Sequence, residues 1–238
     1  MDQSVLDALK RWPDVPAVYG WLSLTARGEW KLHPLGDAQR GGAGQGISNT
    51  QILGFIGRNY ASQPDGAWFF QNGPQRVYVR LDAAPFILHV DPHTHTIKTH
   101  NGLVVKNVLN WFCDETGQLY AQTDCGAGRL DDRDLHILAE VLRTPADQSL
   151  FDLFEQLNRP LSDDTPHAKR NGANGGETQT NLCPNDVLLD PSGKYSALSR
   201  PAYFSLIASS AIPLALHFIP NPGGTSETQA PLDRKIVR

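Results

Sequence analysis

The stretch Gly66-Ala67-Trp68-Phe69-Phe70-Gln71-Asn72-Gly73-Pro74-Gln75-Arg76-Val77-Tyr78-Val79-Arg80-Leu81 decides the fold class. Two runs rich in aromatic and β-branched residues flank Asn72-Gly73, the strongest short-range hairpin signal. In the second run Val77, Val79 and Leu81 alternate with Arg76, Tyr78 and Arg80. That period of two marks a strand with one face buried. Pro74 has no N–H to give a ladder, so the hairpin is expected at a sheet edge or a bulge.

Strand signals continue on both sides. Val18 to Thr25 and Glu29 to His33 read as a pair around Gly28. Phe86 to Val90, Thr96 to Thr99, Leu103 to Val105, Val108 to Cys113 and Gln118 to Thr123 read as a meander. Turn residues punctuate it at Asp91-Pro92, Asn101-Gly102 and Thr116-Gly117. Short helices are expected after Ser4, after Ser48 with Gln51 in a capping box, after Asp131, and at Ser149 to Leu157. In the second of these, Ile52, Phe55, Ile56 and Tyr60 form one stripe. The fold class is therefore α+β, mainly antiparallel hairpins and meander with a few short helices.

The chain has 238 residues, enough to bury a core without disulfides or metal. Residues 1–158 read as the core, 159–181 as a polar linker or loop, 182–220 as C-terminal strands and a helix packed on the core, and 221–238 as a tail. Ala202 to Ile219 lacks any Asp, Glu, Lys or Arg, but Pro213 divides it. A buried helix followed by a strand fits it better than a membrane span. Val187 to Leu189 and Tyr195 to Leu198 complete this part as strands.

Within the core, Gly28-Glu29-Trp30-Lys31-Leu32 leads to Gly42-Ala43-Gly44 and a helix. Gly117-Gln118-Leu119-Tyr120 leads to Gly126-Ala127-Gly128 and a helix. The offset is 84 residues at the Gly-Ala-Gly and 83 at the next apolar residue. An internal duplication of hairpin, glycine loop and helix explains this, as does coincidence between two common units. A duplication would make the cleft between the halves the natural ligand site.

The run Gly66 to Gln71, the later Ala84-Pro85-Phe86, and Tyr195 to Phe204 resemble an uncharacterised proteobacterial domain-of-unknown-function family. The resemblance implies repeated helix-plus-strands motifs and a signalling or ligand-sensing role. It brings no catalytic residue with it.

Function classes can be narrowed. The net charge is −4 with no basic stripe, so no nucleic-acid partner is expected. Residues 1–12 lack a signal-peptide core, and the three cysteines are irregularly spaced, so the expected setting is cytoplasmic with reduced thiols. No G-x-S-x-G, H-E-x-x-H, C-x-x-C or EF-hand loop occurs. A serine or cysteine hydrolase of unfamiliar arrangement would leave no local spacing to read.

Four constellations could carry chemistry. His89, Asp91, His93, His95 and His100 fall within twelve positions; on a straight strand the first four would share one face and could hold zinc, but Asp91-Pro92 should break that face and leave His93 and His95 as the pair. Gly42-Ala43-Gly44-Gln45-Gly46 could cradle a phosphate before a helix, but lacks the dinucleotide and P-loop patterns. Asp114-Glu115 and Asp131-Asp132-Asp134 are explained by turn and helix-start roles. The hairpin is the best ligand site: Arg58, Trp68, Gln71, Asn72 and Arg76 offer an aromatic, amides and guanidinium forks. Neither a metal nor a cofactor is expected.

The reading is a cytoplasmic small-ligand-binding or regulatory protein with a small-molecule or protein partner, as monomer or homodimer, and no membrane. The alternatives are a metal-dependent hydrolase using the His89–His100 region, and a protein-interaction module.

Overall fold

The computed structural model describes residues 1–153 and 186–223. The 159–181 segment and residues 224–238 of the expected tail lie outside them.

Helix α1 spans Gln3–Arg11, with Asp2 rather than Ser4 at its N-cap. Strands β1 (Val18–Leu24) and β2 (Trp30–Leu32) pair antiparallel. A 3₁₀ turn at Ala38–Arg40 precedes the two-residue strand β3 (Gln45–Gly46) and helix α2 (Thr50–Arg58). Asn49, not Ser48, caps α2, accepting the Gln51 and Ile52 N–H groups. Strands β4 (Tyr60–Ser62), β5 (Trp68–Asn72) and β6 (Gln75–Leu81) complete a first sheet ordered β3-β2-β1-β6-β5-β4.

The β5–β6 hairpin turns on Gly73-Pro74, one residue later than expected, with Asn72 paired to Gln75. Gly73 takes the positive φ of 57° that the tight turn needs. Pro74 falls inside the turn and removes no ladder bond. Strand β6 is therefore central, not an edge, and runs parallel to β1.

The second sheet is built from β7 (Phe86–Asp91), β8 (Thr96–Thr99), β9 (Val104–Val105), β10 (Val108–Cys113), β11 (Leu119–Thr123) and β12 (Gly126–Leu130). Strands β13 (Asp186–Leu188) and β14 (Ala202–Leu206) extend it. Its order is β13-β14-β10-β11-β12-β7-β8-β9. The expected meander is thus interrupted: β12 lies between β11 and β7 and is parallel to β7. Strand β14 is parallel to β10.

Gly126-Ala127-Gly128, expected as a glycine loop, is part of β12. Gly128 lies where an added Cβ would be 2.7 Å from the Leu88 side chain, so glycine lets two strands approach. Gly42-Ala43-Gly44 is a true loop, so the expected 84-residue correspondence pairs a loop with a strand. A different correspondence is visible in the pairing order. Each half is a trio, β1-β2-β3 or β7-β8-β9, joined through a parallel central pair to β6-β5-β4 or β12-β11-β10.

Asp131 caps a 3₁₀ turn that leads into α3 (Leu135–Val141), which buries Leu138 and Ala139. Ser149 and Asp152 form a reciprocal capping box, as their spacing suggests. Tyr195 to Leu198 is not a strand; Ser196–Leu198 is a 3₁₀ turn. In the 202–219 stretch the expected order is reversed. Strand β14 comes first, and the short helix α4 (Ile212–Ala215) follows with Pro213 in its first turn. Proline suits that position because its missing N–H has no partner there. Among the described residues, no helix is long and apolar enough to cross a membrane.

One apolar core joins the sheets. Leu22, Leu24, Trp68, Val79 and Leu81 of the first meet Phe86, Leu88, Trp111 and Leu130 of the second. At the junction Trp68 packs on Tyr60 and Phe86 at centroid distances of 4.7 and 5.1 Å. Pro220, with Asn221 and Pro222 from the expected start of the tail, straps the first sheet. Pro220 O accepts the Leu81 N–H, and Asn221 and Pro222 hydrogen-bond Gln39.

Candidate functional site

Alternation along β5 and β6 divides the hairpin residues between two faces. Phe70, Asn72, Gln75 and Val77 face α2. With Val18, Trp21, Leu22, Leu32, Ile47, Ile52 and Ile56 they line a cavity of about 460 Å³. Helix α2 roofs this space because its N-cap is anchored by Asn49 and its Ile56 is buried in the core. Ile52 and Leu32, 49% and 44% exposed, stand where it meets solvent. Its polar lining residues are Asn72 and Gln75 at the hairpin end and Gln45, Ser48 and Asn49 at the start of α2. The cavity lies entirely against the first sheet, not in a cleft between two halves.

The five residues expected to form the ligand site are not gathered. Asn72 lines the cavity. Trp68 is buried in the aromatic junction. Gln71 and Arg76 are register partners on the opposite face, where Arg76 lies over the Phe69 ring at 4.1 Å. Gln71 is fully buried; its amide donates to Gly73 O, and its Oε1 has no hydrogen-bond partner among the described residues. Arg58 pairs with Asp2 at the start of α1, which holds the Asp2 carboxyl below its usual range.

The histidines also disperse. Asp91 Oδ1 accepts the His93 and Thr94 N–H groups, making the turn that Asp91-Pro92 suggests. His89 faces Asp134 and Asp131 at 3.5 and 3.8 Å. His95 packs on Tyr195, and His100 enters the core beside Trp30, Tyr60 and Phe86. Among the described residues no group of three or more His, Cys, Asp or Glu could hold a metal ion. The carboxylates have structural partners. Asp131 is held near 2 by the Arg133 guanidinium, and Glu115 binds Ser209. Cys113 is pushed up to about 12 by burial, so it is a poor thiolate.

The glycine loop has a different role from phosphate binding. The α2 N–H groups it would present are taken by Asn49. Gly42 and Gly44 instead lie against Asp37 and His33, where added Cβ atoms would fall 2.3 Å and 2.8 Å from those side chains. Beneath the loop, Ser23 Oγ is 2.8 Å from His33 Nε2, and His33 Nδ1 is 3.3 Å from Asp37 Oδ1. Reading the sequence missed this trio, because its members share only a hairpin and a turn and match no local motif.

These features define a two-sheet α+β protein with an apolar cavity roofed by a helix. The chain belongs to the DUF2944 family, described as "Protein of unknown function (DUF2946)", whose model matches residues 1–209. No curated protein matches it. Two solved structures are similar over part of the fold. One is a DUF1285 family protein from Silicibacter pomeroyi DSS-3, with 16% identity and a TM-score of 0.40 over 53% of this chain and 71% of that one. The other is a DUF1285 family protein from Shewanella baltica OS155, with 17% identity and a TM-score of 0.38 over 56% and 97%.

Proposed function

We propose that this chain is a cytoplasmic, regulatory ligand-binding protein whose cavity under α2 takes one small, mainly apolar molecule with a hydrogen-bonding end. The cavity carries the reading. About 460 Å³ lies within the range of small-molecule sites, and apolar walls with a few polar groups are their usual make-up. Asn72 and Gln75 would read the polar end, and Trp21, Ile56, Phe70 and Val77 would hold the apolar body. The hairpin thus keeps a role through Asn72, while Arg58, Trp68, Gln71 and Arg76 act on the scaffold. The repeated pairing order supports a duplicated six-strand unit, of which the first copy carries the site.

The test is titration with the neutral fluorophore N-phenyl-1-naphthylamine. One equivalent should bind wild type with enhanced emission. Ile52→Glu, at a half-exposed position, should fold normally and weaken binding about tenfold or more, since a charge at an apolar wall must be desolvated. Equal binding by both proteins would remove the cavity from consideration.

A further inference from the structure

We propose that Ser23 is a nucleophile, activated by His33 and Asp37, that takes the acyl group of small esters bearing an anionic group. This site is on the opposite face of β1 from the cavity and does not depend on it. Leu22 and Leu24 point into the core, so alternation turns Ser23 outward, toward the 33–44 loop.

The order of the contacts assigns the roles. Asp37 accepts the Nδ1–H of His33 at 3.3 Å, which leaves the Nε2 lone pair facing Ser23. Ser23 then donates its O–H to Nε2 at 2.8 Å. Nucleophile, base and orienting carboxylate are the three parts of base-activated serine chemistry, which is recognised by geometry and not by sequence order.

Ser23 and His33 are fully buried, so the reaction requires a cover to move. The cover is short. Gly44 lies on the Cε1–Nε2 edge of His33, whose Nε2 faces Ser23. The limb from Gly41 to Gly44 has glycine at both ends, with φ of 82° and 63°, and these can absorb a hinge rotation. Asp37 stays behind, because the adjoining 3₁₀ turn is tied by Arg80 Nη1 to Ala38 O at 2.6 Å and by Gln39 to Asn221 and Pro222. Arg80 is the register partner of Ser23 on β6 and also contacts Gly42 O at 3.5 Å. Arg80 Nε and Nη2 are held by Asp82 Oδ1 at 3.0 and 2.9 Å, so displacing the limb frees the Nη1 contact alone, and the proposed anionic group of the substrate meets the guanidinium there.

In the reaction Ser23 Oγ bonds to the acyl carbon as its proton passes to His33 Nε2. The carbon–oxygen bond to the alcohol breaks, and the alcohol leaves with that proton. Water then attacks the acyl-serine, giving its proton to Nε2, and the free acid departs with Ser23 restored. Ester and water give acid and alcohol.

The test is treatment of the folded chain with diisopropyl fluorophosphate, followed by peptide mass spectrometry. The expected adduct is at Ser23, absent in urea-unfolded protein, and slowed ~100-fold or more in Asp37→Asn, which loses the orienting carboxylate. Mono-4-nitrophenyl succinate should be hydrolysed faster than 4-nitrophenyl acetate. No adduct at Ser23 in folded wild type overturns the proposal, as does labelling equal to that of unfolded chain. Those two readings stand even if the variant misfolds. Equal labelling in a folded Asp37→Asn overturns the activation, and equal ester rates overturn the anionic preference.

Discussion

His100 shows how a single residue can leave the group its sequence neighbours suggest. Its Nδ1 accepts the Ile87 N–H, so Nε2 carries the proton and finds no hydrogen-bond partner among the described residues. Burial, with a smaller contribution from His89, pushes its pKa down to about 4. The unfolded side chain titrates near 6.5, so between these values the unfolded chain takes up a proton that the folded one refuses. Its contribution to stability is complete above pH ~6.5 and is lost as pH falls toward 4, by about 3 kcal/mol. Urea unfolding at pH 7.5 and 4.5 should show that loss in wild type, and His100→Phe should remove this component. A steric prediction belongs to Gly44, where φ is 63° and an added Cβ would fall 2.8 Å from the His33 ring. Gly44→Ala should lower stability by about 1–3 kcal/mol in the same assay. The sequence shows a histidine-rich run and a glycine-rich run. Which histidine is buried, and what each glycine lies against, depend on strands far away in the chain.

At the scale of elements the turns were most legible. Thr25–Gly28, Gln63–Gly66, Thr99–Gly102 and Asp114–Gly117 make the same turn. In each, the glycine N–H donates to the first residue's carbonyl, and that residue's N–H donates to the carbonyl following the glycine. All four glycines have φ between 81° and 90°. Glycine is the residue that reaches this geometry without strain, and that makes the signal readable. The cap of α2 was misplaced by one residue, because Ser48 and Asn49 are both able N-caps and only the chain's entry angle selects Asn49. Asn49→Ala should lower stability by about 1 kcal/mol in thermal unfolding, with apolar-probe binding reduced as the cavity roof loosens. The strand-then-helix order of 202–215 was illegible for a different reason. Ala202-Tyr203-Phe204-Ser205-Leu206 is a strand through its parallel pairing with β10, a contact with no local trace.

The whole molecule rests on such long-range steps. The parallel pairs β1–β6 and β7–β12 join segments whose local patterns describe only hairpins. The fold class was therefore readable, while the strand order was not. The cavity follows from the same steps, since parallel pairing of β6 with β1 brings Val77 beside Val18 and Val79 beside Leu22, and Val18, Leu22 and Val77 line the space under α2. Only Asn72 of the expected site falls there, because the hairpin's alternation sends Gln71 and Arg76 to the other face. Native mass spectrometry of freshly purified protein, wild type beside Ile52→Glu, tests the cavity most directly. Wild type should retain an apolar metabolite one-to-one, or form a one-to-one complex on adding N-phenyl-1-naphthylamine, and the variant should lose it. A bare wild-type mass in both conditions, or an adduct held equally by the variant, would contradict it.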